Sequence, residues 1–198
     1  PIGSVRLTEA QVRRHPVPRE TVAELRAEAR KQLRGLPVPE HNFAFVGVAG
    51  TITSLSAIHQ KMEEYDSNAI QHSKLSMSEI EDMLLSLAAM PLEERKQVSG
   101  LEEKRADVIV AGAAIALEAM ARVGADELIV SDRGLRWGVG PRDEPAPPLG
   151  IVAARFSWEP AGDAQRVTSV AVNPPVTTAQ TGRQDFTTSR RIRLTAFS

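Results

Sequence analysis

Gly47, Gly50 and Thr51 stand where the apolar run FAFV passes through GVAGT into the helix-like pattern ITSLSAIH. Glycines at such a junction let the backbone close on a ligand. Amides at a helix N-terminus, together with the Thr51 hydroxyl, offer hydrogen bonds to an anion or a ribose. The motif is short, however. A P-loop needs a lysine where Thr51 stands, and a dinucleotide fingerprint needs a third glycine where Thr53 stands. Taken alone, the glycines more often mean a tight strand-to-helix turn with no ligand.

Two further stretches carry binding chemistry. In LEEKRADV, residues 101–108, Lys104 and Arg105 precede the most hydrophobic segment of the chain, and the planar fork of Arg105 suits a phosphate. A solvated charge run at a helix start accounts for the same residues. Ser131, Asp132, Arg133 and Gly134 follow a strand-like run, at the kind of strand end where α/β proteins bind ligands. The plainer alternative is a turn in which Asp132 bonds its own backbone.

The residues of a catalytic or metal centre are missing from the pattern. There are no cysteines, which excludes disulfides, zinc–thiolate sites and thiol nucleophiles. The histidines, at positions 15, 41, 59 and 72, show no i, i+4 pair and no acidic neighbour at ligand spacing, so no metal site is expected from this chain. No G-x-S-x-G elbow is present. The acidic pairs Glu63-Glu64, Glu93-Glu94 and Glu102-Glu103 lie in polar stretches and read as surface carboxylates, not as an acid–base pair.

Alternating periods predict the elements that hold these residues. Ile2, Val5 and Leu7 suggest a strand already under way at Pro1, and with it a chain that starts inside a larger protein. Val22, Leu25, Ala29 and Leu33 predict a helix from Pro18 to Arg34, stopped by Gly35 and Pro37. Phe43–Val48 predicts a buried strand and Thr51 to about Lys61 a helix. After a polar stretch, Ser78 and Glu81 form a capping-box pattern ahead of a helix that buries Ile80, Met83, Leu84, Leu87 and Ala88. Pro91 ends it, and a short charged helix follows over Leu92–Val98.

DVIVAGAAIALEAMARV, Asp107 to Val123, is apolar nearly all round and predicts a central helix. Asp107 would favour its positive end, Glu118 and Arg122 would pair on its one wet side, and Gly124 would close it. Glu127–Ser131 predicts a second strand. Helix, turn, strand and glycine turn make an α/β chain.

The 198 residues are 42% hydrophobic and 25% charged with a formal net charge of −1, as in an ordinary soluble globular protein. Near-neutral balance removes the electrostatic argument for nucleic acid. No apolar run reaches the ~20 residues of a membrane span. Composition shifts after Trp137. GVGPRDEPAPPLG reads as a proline-rich linker over residues 139–150, dividing residues 1–138 from a tail, 151–198. The tail patches IVAARFSW, RVTSVAV and RRIRLTAF fit short strands, an unstructured extension or a junction of reading frames, and the residues do not choose among these.

Four ordered blocks, PIGSVRLTE, GVAGTITSLSAI, EEKRADVIVAGAAIALEAM and ELIVSDRGLRWG, resemble the second half of the exopolyphosphatase / guanosine pentaphosphate phosphohydrolase (Ppx/GppA) family. The resemblance runs from Pro1 to about Gly138. It implies a segment of the distal domain in an RNase H-like α/β fold of the actin/Hsp70/sugar-kinase superfamily, with phosphates bound between two such domains. It implies hydrolysis of terminal phosphoanhydride bonds in polyphosphate or the guanosine alarmone, in the cytoplasm, with Mg²⁺ in the parent enzyme.

By resemblance, Gly47, Gly50 and Thr51 line the nucleotide and phosphate side of the cleft, and Arg105 reaches phosphate. Asp107 orients Arg105 and caps the helix, while Ser131, Gly134 and Arg136 support the site from below. The family's D-x-G-S-N-S-like loop, catalytic glutamate and G-G-G-S-x-E loop precede the PIGSVRL block and do not occur in this sequence. The chain alone is therefore expected to be inactive and to need an N-terminal half. It is also expected to leave a sheet edge open and to aggregate or self-associate, a homodimer being one form. The alternative is a non-catalytic nucleotide-binding or interaction module of the same fold.

Overall fold

A computed structural model describes residues 2–36, 38–39 and 43–132, together with the backbone of residues 150–155 and 170–172. Helices α1 (Ser4–Gln11) and α2 (Arg19–Gln32) come first, then strand β1 (Phe43–Val48) and helix α3 (Gly50–His59). Helix α4 (Ser67–Ile70), strand β2 (Lys74–Ser76), and helices α5 (Met77–Ala89) and α6 (Leu92–Arg95) follow. Helix α7 (Ile109–Val123) and strand β3 (Glu127–Ser131) lead to the short strands β4 (Gly150–Arg155) and β5 (Val170–Val172).

The strands form one sheet in the order β2-β3-β1-β4-β5. β1 runs parallel to both neighbours, with Val48 beside Ser131 of β3 and beside Arg155 of β4. The outer pairs, β2 with β3 and β4 with β5, are antiparallel. The carboxyl ends of β1 and β3 thus emerge side by side, where α/β sheets place ligands. Strand β1 is paired on both sides. Among the described residues the sheet ends on strands of 3 residues each, β2 and β5.

Helix α7 is the centre of the core. Thirteen of its residues are buried, as its unbroken apolar composition requires, and it packs against α1, α2, α3 and α5. Gly124 closes it in the left-handed region at φ 73°, a conformation natural for glycine. Helix α3 lies between α7 and the sheet, contacting β1 and β3.

Several expectations are corrected by packing. Ile2–Leu7 does not continue as a strand: Ser4 and Leu7 lie one turn apart and are both buried, with α1 laid against α7. The capping box forms one repeat earlier than Ser78 and Glu81. SMSEIE holds two overlapping S-x-x-E patterns, and Ser76, extended at the end of β2, takes the cap. Its Oγ accepts from the Glu79 amide at 3.2 Å, and the Glu79 carboxylate accepts from the Ser76 amide at 2.7 Å. Glu81 is thereby free to accept from Arg26 of α2 at 2.6 Å.

Glu118 and Arg122 do not pair on a wet side. Glu118 is only 2% exposed and binds Arg26 at 2.7 Å and Arg30 at 2.9 Å, while Arg122 donates to the Arg34 carbonyl. The side that looked wet is covered by α2. Burial alone would raise the Glu118 carboxyl, but bonds from Arg30 and Arg26 outweigh it and hold the group below its usual range.

Candidate functional site

Between β1 and α3 the chain turns through Ala49, which holds φ 72° and ψ 175°, a region that a β-carbon disfavours by about 1–3 kcal/mol. Its carbonyl accepts from the amides of Ile52 at 3.0 Å and Thr53 at 3.2 Å, which leaves Gly50 and Thr51 to open α3 at its electropositive end. Over this first turn lies Arg105, carried by the 3-10 turn Glu103–Arg105 just before α7.

The guanidinium comes so close that a β-carbon on Gly50 would stand 2.1 Å from Nη1 and 2.5 Å from Cζ. Only glycine leaves room for the fork. Nη1 donates to Ser54 Oγ at 3.3 Å and Nη2 pairs with Glu102 at 3.0 Å. Nε is buried without a protein partner. A planar cation with one uncommitted donor over a helix N-terminus is suited to an oxyanion, since charge and donors converge from two elements.

The carboxyl end of β3 contributes Asp132, which joins this neighbourhood through the loop after α3. Tyr65 Oη donates to Asp132 Oδ1 at 2.6 Å, and Ser67 Oγ donates to Oδ2 at 2.5 Å. The Asp132 amide donates to Gln71 Oε1 at 2.9 Å. Partial burial and the bond to Asp132 push the Tyr65 phenol up to about 12, with the Thr53 hydroxyl and the Arg105 charge pulling the other way. Tyr65, Thr53, Arg105 and Asp132 therefore form one electrostatic group. Tyr65 keeps 55% of its surface exposed. Ser131, just before Asp132, is buried with its hydroxyl unpartnered.

The residues singled out from sequence separate into two sets. Gly50 and Arg105 are brought together. Gly47 lies within β1 and serves packing: a β-carbon there would meet Ile52 at 2.9 Å and Leu128 at 3.0 Å. The Thr51 hydroxyl is not offered to a ligand, because the side chain is 4% exposed and turned into α7, where it fills the space left by Gly112.

Asp107 neither orients Arg105 nor caps α7. The arginine binds Glu102 instead, and α7 begins after Val108 without a side-chain cap. Asp107 lines an open depression of about 700 Å³ with Leu92, Lys96, Glu102, Glu103 and Lys104; none of Gly50, Ser54, Tyr65, Arg105 or Asp132 lines it. Paired lysines and glutamates make that depression a solvated surface. Gly134 and Arg136 lie outside the described residues.

Ser54, Tyr65, Ser67 and Glu102 as site residues escaped the sequence reading, and Asp132 bonds two distant side chains, not its own turn. One signal was available: Tyr65 is the only tyrosine in the chain, set in an otherwise polar loop.

The resemblance implies Mg²⁺ for the parent enzyme, but these residues do not form a cage for it. Among the described residues no three His, Asp or Glu side chains converge, and Asp132 already accepts from two hydroxyls.

The model of the Ppx/GppA phosphatase family matches residues 1–145. The chain is 34% identical over 146 residues to exopolyphosphatase 2 of Mycobacterium tuberculosis, an alignment that covers 70% of this chain and 46% of that protein. It is 42% identical over 91 residues to a bifunctional 3-dehydroquinate synthase/phosphatase of Fusobacterium nucleatum, covering 46% of this chain and 13% of the other.

Among solved structures, a Ppx/GppA family member from Aquifex aeolicus superposes with a TM-score of 0.65 at 35% identity, covering 70% of this chain and 45% of that one. An exopolyphosphatase from Cytophaga hutchinsonii, 20% identical with a TM-score of 0.52 over 66% of this chain and 44% of that one, shares the fold. That fold is the actin-like, RNase H-like α/β fold. This chain spans less than half the length of the exopolyphosphatase relative it matches.

Proposed function

The chain belongs to the Ppx/GppA phosphatase family, and from that premise we propose that it forms one wall of a phosphate-binding cleft in an enzyme that hydrolyses terminal phosphoanhydride bonds. The observation that carries this reading is the Arg105 guanidinium over Gly50, with a buried donor left uncommitted at the start of α3. Phosphoryl transfer depends on positioning and on neutralising charge over the transferring oxygens. Arg105 and the first amides of α3 supply that neutralisation from one side, and Glu102 and Ser54 fix the fork.

Among the described residues of this neighbourhood the carboxylates are engaged with other side chains. Asp132 accepts from Tyr65 and Ser67, and Glu102 is committed to Lys104 and Arg105. In our reading, catalysis and the Mg²⁺ that accompanies it reside in a further half of the protein, of the kind that precedes this region in the family, and residues 1–138 are the part that completes it. The substrate is polyphosphate or a guanosine pentaphosphate, acted on in the cytoplasm. Among the described residues no helix is long and apolar enough to cross a membrane.

The test is to titrate polyphosphate and guanosine pentaphosphate into the chain while following phosphate release. Saturable binding of at least one without release is the expected result. Release by the chain alone would overturn the division of labour, and binding of neither would overturn the site.

A further inference from the structure

Among the described residues Arg95 is the largest fully buried side chain, at 0% exposure, and Asp107 is the carboxylate that acts on its charge. Taking a cation out of water costs several kcal/mol unless its donors are met. Here they are met by carbonyls. Nε donates to Leu87 O at 2.7 Å, Nη2 to Met90 O at 3.0 Å and Nη1 to Ala106 O at 3.0 Å. The first lies in the last turn of α5, where it also accepts from the Met90 amide at 3.4 Å, and the second belongs to Met90, the residue that closes the helix. The third belongs to the residue immediately after Arg105. Nη1 also meets His15 Nδ1 at 3.3 Å, a contact that requires an unprotonated Nδ1 as acceptor.

The segment between α6 and α7 has a second anchor. Gly100, at φ 83°, lies against the α3 backbone so closely that a β-carbon would stand 2.3 Å from the Ala57 carbonyl carbon. Gly100 thus fixes where the segment leaves α3, and Arg95 fixes where it enters α7.

We infer that Arg95 is a positioning residue for Arg105: by tying Ala106 to the end of α5, with neutral His15 completing the cradle, it sets the Arg105 fork over Gly50. The inference rests on the reading of Arg105 as a phosphate ligand. Protonating His15 removes the acceptor and puts two cations in contact inside the protein, so acid loosens the tie. The charged groups facing His15 are Arg95 at the end of α6 and Asp107 ahead of α7. Burial first and Arg95 second lower the pKa of His15, while Asp107 raises it, so the ring stays neutral at pH 7.

The test compares the full chain with His15→Gln, which keeps an acceptor but does not titrate, at about pH 7.5 and about pH 5.5. Amide exchange of Arg105 and Ala106 is read at each pH alongside tripolyphosphate affinity. The two proteins should match at the higher pH. At the lower pH the unsubstituted chain should exchange several-fold faster and bind correspondingly more weakly, with a ceiling of about tenfold per pH unit for one proton. Arg95→Lys, which keeps the charge and loses the fork, should raise exchange at these amides at both pH values.

An exchange ratio between the chain and His15→Gln that is the same at both pH values overturns the inference. So does Arg95→Lys with unsubstituted protection. Loss of tripolyphosphate binding everywhere, with the exchange ratios as expected, supports the positioning role and overturns the anion reading instead.

Discussion

Arg105 and Gly50 occupy the same space in a complementary sense: the guanidinium fills the volume that any β-carbon at position 50 would claim. The contact joins the start of α3 to the start of α7, two elements separated by more than fifty residues of chain. Gly50→Ala tests it directly. Gly50 is not in the left-handed region, so its backbone accepts alanine with a gain of about 0.5–1 kcal/mol, which the bonds Arg105 gives up to Ser54 and Glu102 should offset, leaving the melting temperature little changed. The displaced Arg105 should nevertheless lose its hold on an anion. A thermal melt and a tripolyphosphate titration on the same sample check both halves of this expectation.

Gly100→Ala should behave in the opposite way. Its φ of 83° strains any L side chain, and the added carbon would strike backbone of α3, which cannot swing aside. A loss of about 2 kcal/mol or more is expected, seen as a lower denaturation midpoint at unchanged slope.

The Glu118 network sets the acid limb of stability. Its folded pKa lies below the unfolded value, so its contribution is fully present above the unfolded pKa and is lost as pH falls through the folded one. Glu118→Gln should cost about 2 kcal/mol near pH 7, less than for a fully enclosed pair because Arg30 is 65% exposed. The difference between the two proteins should shrink below about pH 4. Urea midpoints measured across that range decide it.

The single tyrosine makes Tyr65 directly observable. Its phenolate absorbance should appear near pH 12 in the folded chain, against about 10 for a free phenol. Because the folded pKa is raised, the stabilisation it reports is present below pH ~10 and fades as pH rises through the folded value. Asp132→Asn, which removes the carboxylate acceptor, should bring the midpoint back toward 10.

How much of this was legible in the sequence follows from how local each determinant is. Phe43–Val48, Glu127–Ser131 and the closing Gly124 match their sequence readings residue for residue, because a short apolar run and a left-handed closure are local facts. The central helix was visible in composition alone, although it begins at Ile109, two residues after Asp107. Helix α1 was not legible: with Ile2, Val5 and Leu7 a strand period fits as well as a helical one, and only the surface of α7 chooses. The choice between Ser76 and Ser78 as cap depended on where β2 ends. Glu118 looked exposed because nothing local announces α2 above it.

The site divides in the same way. Gly50 and Arg105 were each nameable from the sequence, and the family resemblance placed them in one cleft. Their contact, and the Tyr65–Asp132 bond across 67 positions, come from tertiary structure. The resemblance implies that Asp107 orients Arg105, yet the arginine turns back to Glu102, three residues earlier in the chain.

The most direct test of the central claim is calorimetric titration of tripolyphosphate into the chain and into Arg105→Met, at fixed ionic strength. Arg105→Met keeps much of the apolar stem and removes only the fork and charge. Saturable binding by the chain, weakened about tenfold or more in the variant, is the expected result for a charge-assisted contact of about 1.5–3 kcal/mol. Equal affinity in the two proteins would contradict the account and leave Arg105 as a packing residue over Gly50.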